Sequence, residues 1–389
     1  MPDKPVIYVH TGEWPTPSPS IVFVTGAAYG LAAHAPVELI VRNHGGDATT
    51  DVFRSIMGRG MPDGLVITRI GFGGTTPGHT GFFRKAVERI GERVAAGGVA
   101  AVVTRNHGFL PYCLLIHRRW NIPCYFETHD FFTDLGFRDD IDKTLQVRRN
   151  SLFERMFFPR LAGLIHLTGP QRELFAKYHS KIPSVVARTG LTEPVDAKVK
   201  REKTVCYVGS LDDHKGVGFV LTALGMTGYN DLNLLVIGGK NEHEMQEFRQ
   251  LATLAGVGGR VRISGWVSHS DVGALMDRCI AGVVPLADTA FNRSITSPLK
   301  ILDCFARSLP VIGADLPSVR EYVEDGRHGF LFRPGNPEDL AGALDRIAAE
   351  DIAESMRAAV REHADSFLWT ARGRIILDFI TRTGGGRTN

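Results

Sequence analysis

Along this 389-residue chain, short apolar runs alternate with helix-length stretches in two separate series. That alternation implies parallel strands with helices covering both faces of the sheet, an α/β class. The first series reads as strands over Val6–His10, Val37–Val41, Leu65–Thr68, Ala100–Val103, Pro123–Glu127, Gly163–Leu167 and Ser184–Ala187. Helices are expected over 21–33, 82–96, 112–119, 153–159 and 170–178, with a polar, proline-rich loop from Thr11 to Pro19. The second series starts at Thr204–Val208 and continues through Leu232–Ile237, Val261–Ser264, Ile280–Val284 and Val311–Ile312. Between them, Arg188–Lys203 is rich in charge and holds Gly190 and Pro194, as a linker does. A chain of this length exceeds one ordinary core, so two domains are expected, 1–190 and 191–365. A final helix follows from about 366 to 382, and the tail from Gly384 reads as disordered.

Composition excludes several classes. Hydrophobic content of 43% with 22% charged residues is that of a globular protein. A net charge of +3 does not argue for nucleic acid, and no nucleic-acid partner is expected. It is compatible with anionic ligands and with loose contact to an anionic membrane surface. Cys113, Cys124, Cys206, Cys279 and Cys304 are odd in number, far apart and without a CxxC, so reduced buried thiols are expected. Histidines are scattered, and no metal or other cofactor is expected. The opening residues show no signal-peptide pattern and no apolar run approaches 18 residues. A cytoplasmic location is expected, with the inner face of the membrane as the place of any surface contact.

The stretch Ser297–Glu321 concentrates the chemistry. Ser297 suits an N-cap and Pro298 the first helical position. Leu299, Ile301, Leu302, Cys304, Phe305 and Ala306 make the helix apolar almost all round, hence buried. Lys300 and Asp303 nonetheless sit inside it, one turn apart. Free N–H groups and a lysine facing one way suit a phosphate, and a carboxylate one turn deeper suits a hydroxyl. Upstream, Gly209, Ser210 and Lys215 follow a strand and precede a helix, where ligands bind in α/β sheets. A lysine at a helix N-terminus is unfavourable unless an anion is present. Gly238 and Gly239 end another strand but lack the continuation of a dinucleotide fingerprint, which disfavours a dehydrogenase.

The run Pro298, Lys300, Asp303, Phe305, Ala306, Ser308, Pro310, Val311 resembles the signature P-x-K-x-x-E-x-M-A-x-G-x-P-V of retaining glycosyltransferases of the GT-B fold, family 4, the glycosyl transferases group 1. Leu316–Glu321 and Asp325–Leu340 continue the pattern, and Val208–Gly216 is similar to the family's V-G-R-L-x-x-x-K-G. The resemblance implies two Rossmann-like doubly wound domains with a cleft between them, and a last helix crossing back to the first domain. It implies transfer of a sugar from a nucleotide-diphosphate donor, with retention, to a glycan, lipid-linked sugar or small molecule, as in polysaccharide biosynthesis. Donor contacts fall on Gly209, Ser210, Gly238, Gly265, Val267, Ser297, Pro298, Leu299, Lys300 and Asp303. Lys215 and His129 are the catalytic positions, His129 facing the sugar, and Gly12 lies on the acceptor side. The chain departs from the pattern at Ser210, where the family has arginine. It departs again at Ile295, where most members have a glutamate eight residues before the helix carboxylate. An inactive nucleotide-sugar-binding subunit, or a GT-B epimerase or phosphorylase, stands as the alternative.

Overall fold

A computed structural model describes residues 4–16, 18–45, 50–71, 78–137, 141–195, 197–211, 216–267 and 269–384. The tail beyond 384 lies outside the described residues, and so does Lys215. The chain forms two compact units, one of residues 1–192 with 367–389 and one of residues 193–366.

Unit 1 is built on a seven-stranded sheet in the order β3-β2-β1-β4-β5-β6-β7. Its strands are β1 (Val6–Trp14), β2 (Val37–Asn43), β3 (Leu65–Ile70), β4 (Ala101–Thr104), β5 (Cys124–Glu127), β6 (Gly163–His166) and β7 (Ser184–Val186). Every pairing is parallel. The strand interiors are near-continuous apolar runs because helices bury both faces. The chain leaves β1 toward β2 and β3, then returns to β4 on the other side of β1. The switch point of the sheet therefore lies between β1 and β4.

Two sequence expectations change here. The segment from Thr11 is not a loop: β1 runs on to Trp14. Val9 pairs with Ile40 but Glu13 with Arg42, so a bulge absorbs the extra residues and carries Thr11, Gly12 and Glu13 at the carboxyl end of this interior strand. The helix expected from 153 begins at Leu145, where Thr144 accepts a hydrogen bond from the Val147 amide (3.3 Å) and starts it two turns earlier.

The Pro19–Ala32 helix is capped by Ser18 and packs on the final helix, Trp369–Gly384. Glycines set that contact. A Cβ on Gly30 would lie 1.9 Å from the Trp369 carbonyl oxygen, and one on Gly373 would lie 2.0 Å from the Gly30 oxygen. Trp369, Ile376, Phe379 and Ile380 thereby join the core of unit 1. Tyr125 and Thr383 share a hydrogen bond (2.7 Å) that ties the end of this helix to β5. The charged segment after β7 is held on both sides of residue 192: Leu191 bridges Leu368, and the Val195 amide donates to the Ala306 carbonyl (2.7 Å).

Unit 2 has a six-stranded parallel sheet in the order β10-β9-β8-β11-β12-β13. These strands are β8 (Thr204–Val208), β9 (Asn233–Ile237), β10 (Val261–Ile263), β11 (Ala281–Val284), β12 (Val311–Ala314) and β13 (Gly329–Phe332). Its switch point lies between β8 and β11. The Leu299–Ala306 helix packs on β11, where a Cβ at Gly282 would lie 2.1 Å from the Cys304 Sγ. The five cysteines are buried and unbridged. Among the described residues, no helix is long and apolar enough to cross a membrane, and no group of three or more His, Cys, Asp or Glu is placed to hold a metal.

Candidate functional site

In unit 2, the carboxyl ends of β8 and β9 carry glycines whose backbone no other residue copies easily. Gly209 has φ 142°, Gly238 has φ 145° and Gly265 has φ 69°, all in the region that favours glycine. A Cβ on Gly238 would sit 2.0 Å from the Gly209 oxygen, and one on Gly209 would sit 2.8 Å from Lys300 Nζ. The Gly209 amide donates to the Ile237 carbonyl (2.9 Å), and Gly238 bridges Gly265. Three strand ends thus meet through Gly209, Gly238 and the buried Gly265, with the Lys300 ammonium against Gly209.

Tyr207 holds Lys300 in place. Lys300 Nζ lies 3.0 Å from the phenol oxygen and 4.2 Å from the ring centroid, a cation on an aromatic face. The same phenol donates to the Ser210 carbonyl (2.8 Å). Glu244 accepts from the amides of Leu211 (3.0 Å) and Lys240 (2.5 Å), tying the segments after β8 and β9 together. Tyr207 and Glu244 were not among the residues singled out from sequence. Tyr207 offered only a polar tip inside the apolar strand β8.

The 297–306 segment differs from its sequence reading. The helix proper is Leu299–Ala306, Pro298 stands at the cap position, and no side chain caps it. Ser297 Oγ instead shares a hydrogen bond with Tyr322 Oη (3.1 Å). The helix is not buried all round: Leu299 is 43% exposed while Ile301, Leu302, Cys304 and Phe305 are buried. Pro298 is buried, and Lys300, Asp303 and Val267 are half-buried. Ile295 is 2% exposed, part of the packing beneath the site.

In unit 1 the corresponding strand ends carry buried charge. Glu127, the last residue of β5, has no exposure, and Arg372 of the final helix donates to its Oε2 (2.5 Å). His129 Nε2 shares a hydrogen bond with Glu127 Oε1 (2.5 Å). Burial raises the carboxyl pKa, but Arg372 and then His129 outweigh that and hold Glu127 well below the usual carboxylate range. Burial, then the Arg105 charge, lower His129 to about 4, so the imidazole is neutral near pH 7. Its Nε2 carries the proton toward Glu127, which leaves Nδ1 as an acceptor. The ring meets Phe23 edge to face at 4.6 Å. Arg105 and Arg372 lie over the same Phe23, at 5.0 and 5.3 Å. Gly12 sits in the β1 bulge, where a Cβ would lie 2.6 Å from Ile21 Cδ1 and 2.8 Å from the His10 ring. His10 is 5% exposed, and burial lowers its pKa to about 3. The sequence reading named His129 and Gly12 but missed Glu127, Arg105, Arg372 and His10. A glutamate closing an apolar strand was the available signal.

Residues 202–350 match the family model for glycosyl transferases group 1. This segment belongs to that family. The chain aligns with a phosphatidyl-myo-inositol mannosyltransferase of Mycobacterium leprae, 26% identical over 173 residues, 43% of this chain and 43% of that protein. It also aligns with the lipopolysaccharide core biosynthesis glycosyltransferase LpsE of Rhizobium meliloti, 28% identical over 180 residues, 46% of this chain and 47% of that protein. The match thus spans under half the length of these two curated relatives. Among solved structures, sucrose-phosphate synthase from Thermosynechococcus elongatus superposes with a TM-score of 0.69 at 18% identity. That superposition covers 97% of this chain and 98% of the other. HepE from Anabaena, in complex with UDP and glucose, gives a TM-score of 0.69 at 15% identity, covering 97% and 100%. At these identities the structures establish the fold: the chain has the GT-B fold of two Rossmann-like units.

Proposed function

We propose that the chain is a glycosyltransferase that moves a sugar from a nucleoside-diphosphate donor to an acceptor, the donor on unit 2 and the acceptor on unit 1. The observation that carries this reading is the meeting of Gly209, Gly238 and Gly265 at the carboxyl ends of β8, β9 and β10, with Lys300 against Gly209. Bare backbone at Gly209 and Gly238 admits a ligand to van der Waals distance, and the Lys300 ammonium suits a diphosphate. The group 1 segment and the UDP in the HepE structure support the same donor class.

On this reading the diphosphate gains charge as the glycosidic bond breaks, and Lys300, with Lys215, meets that charge. His129 enters as a neutral imidazole oriented by Glu127, its Nδ1 available as an acceptor on the reacting side. Retention of configuration is carried over from the family resemblance. The test is a thermal-shift series with UDP, GDP and ADP and their sugar derivatives on the wild type and Lys300→Ala. A nucleoside diphosphate should raise the wild-type midpoint and raise the variant's less. Absence of stabilisation by every nucleotide would remove the reading.

One observation favours a second reading, a nucleotide-sugar-binding subunit without transfer. Ile295 is buried where most of the resembling family has a glutamate. Donor binding with neither hydrolysis nor transfer to any acceptor would select it.

A further inference from the structure

The switch point of unit 1 opens on a cavity of about 310 Å³ whose lining includes Thr11, Arg105, Asn106, Tyr112, Arg149 and Phe153. Its volume is that of a small-molecule site, and no carboxylate lines it among the described residues. The walls are tied across the switch point. The Thr11 amide donates to Asn106 Oδ1 (3.0 Å), and Asn106 Nδ2 donates to Thr11 Oγ1 (2.9 Å).

The charges behind this cavity do not balance. Among the described residues, Glu127 and Glu154 are the buried carboxylates nearby, and the two Glu127 oxygens are taken by Arg372 and His129. Arg105 stacks on Phe23 and makes no hydrogen bond to a described residue. Glu154, the other buried carboxylate nearby, is engaged by His107 (2.9 Å), the Phe132 amide and the Thr133 hydroxyl. Two guanidinium groups thus face one carboxylate, while His10, at the end of the apolar part of β1, is buried with Asn106 as its polar neighbour and no hydrogen bond of good geometry at either ring nitrogen. Buried polar groups without partners are rare in a finished structure, and an unneutralised cation beside them calls for an anion. Arg149, on the Leu145–Phe157 helix, adds a second cation at the exposed rim.

We propose that this cavity binds a phosphate ester on the acceptor, with Arg105 at its base, Arg149 at its rim and Tyr112 and Phe153 as an aromatic wall. The proposal rests on the glycosyltransferase reading and gives its acceptor a chemical class. The phosphate comes on a soluble sugar or on a lipid headgroup; the helix that supplies Arg149 also exposes Leu145 and Leu152.

The test uses the full chain and two probe pairs. Glucose 6-phosphate is compared with glucose by calorimetry, and phosphatidylcholine vesicles with phosphatidic acid are compared with vesicles lacking it by flotation. The phosphorylated member of at least one pair should bind about tenfold or more tightly than its partner. Arg149→Gln and Arg105→Lys should each erase that preference; Arg149 is exposed, so its variant folds even if the buried substitution does not. UDP binding should survive Arg149→Gln, and phosphate-probe binding should survive Lys300→Ala. A response to glucose 6-phosphate alone assigns a soluble acceptor, and one to phosphatidic acid alone assigns a lipid headgroup. No preference in either pair, or a preference that both arginine variants retain, overturns the proposal even where UDP still binds. Phosphate preference without any nucleotide binding would keep an anion site but overturn its assignment to an acceptor.

Discussion

The two units use the same doubly wound sheet and finish it in opposite ways. In unit 2 the ends of β8, β9 and β10 run into glycines, and Lys300 reaches Gly209 from a neighbouring helix. At the carboxyl ends of the unit 1 strands a buried carboxylate, Arg105 and two histidines gather, joined by Arg372 from the final helix. A site made of backbone exposes little that can be removed; it fails when something is added. Where charges are buried together, removing one member leaves its partners without compensation. Stability and ligand affinity should therefore separate between the units under mutation.

The largest effect is expected in unit 1. Arg372→Met keeps most of the side-chain volume but strands Glu127 in the interior. Breaking a buried pair in this way costs about 3–5 kcal/mol. Urea unfolding should show that loss, and the double variant Arg372→Met/Glu127→Gln should recover much of it. A single variant as stable as the wild type would mean that the cluster is hydrated and that the contrast between the units is false.

Acid should find unit 1 first. His10 and His166 are held at about 3 and His129 at about 4, burial being the first cause in each, and His179 is shifted down as well. In unit 2, His328 is lowered to about 4. An unfolded histidine titrates near 6.5. Between pH 6.5 and the folded values the unfolded chain binds more protons, so stability rises with pH and falls on acidification. Each such imidazole contributes up to about 1.4 kcal/mol per pH unit within that window. Glu127, held low by Arg372, adds its own loss only as pH falls below the ordinary carboxylate range. Hydrogen exchange at pH 7 and 5 should show unit 1 amides losing more protection than those of unit 2. Equal losses would contradict the assignment of the burden to unit 1.

Unit 2 should respond in affinity. Lys300→Ala should weaken nucleoside-diphosphate binding by about 1.5–3 kcal/mol, the worth of a hydrogen bond to a charged group. Its melting point should move little, because the lysine is half-buried over Tyr207 and its chain leaves no deep cavity. Gly238→Ala should impair binding too, at a strain cost of about 1–3 kcal/mol, since its Cβ meets the Gly209 oxygen. Calorimetry with UDP beside a melting curve checks both; full affinity in the lysine variant would remove Lys300 from the site.

The same contrast explains what the sequence made legible. Strands and glycines are local signals: an apolar run predicts β8 or β9, and a glycine just past it marks the strand end. Gly209 and Gly238 were found in this way; Lys300 was read from its own helix, and Gly265 came with the family resemblance. The charge cluster of unit 1 is not local. Glu127 and Arg372 are 245 residues apart, and only the packing of the Trp369–Gly384 helix on unit 1 brings them together. The extension of β1 through Thr11, Gly12 and Glu13 was hidden for a related reason. Polar residues read as a loop until the bulge pairs Glu13 with Arg42.

Ser297 is the smallest test and sits on the boundary between local and distant signals. By sequence it is an N-cap, a local role; in the fold its hydroxyl pairs with Tyr322, 25 residues on, and the helix starts at Leu299 without a side-chain cap. Ser297→Ala should cost about 0.5–1.5 kcal/mol, an ordinary net hydrogen bond. Loss of a cap would cost a similar amount, so the size alone decides nothing. A double-mutant cycle with Tyr322→Phe separates the two roles. A hydroxyl pair predicts that the second substitution costs little once the first is made, giving a coupling energy close to the single-variant loss. A cap predicts additivity, because Tyr322 would not share the interaction. Additive losses would return Ser297 to the helix end and place one more donor-side group in unit 2 under local control.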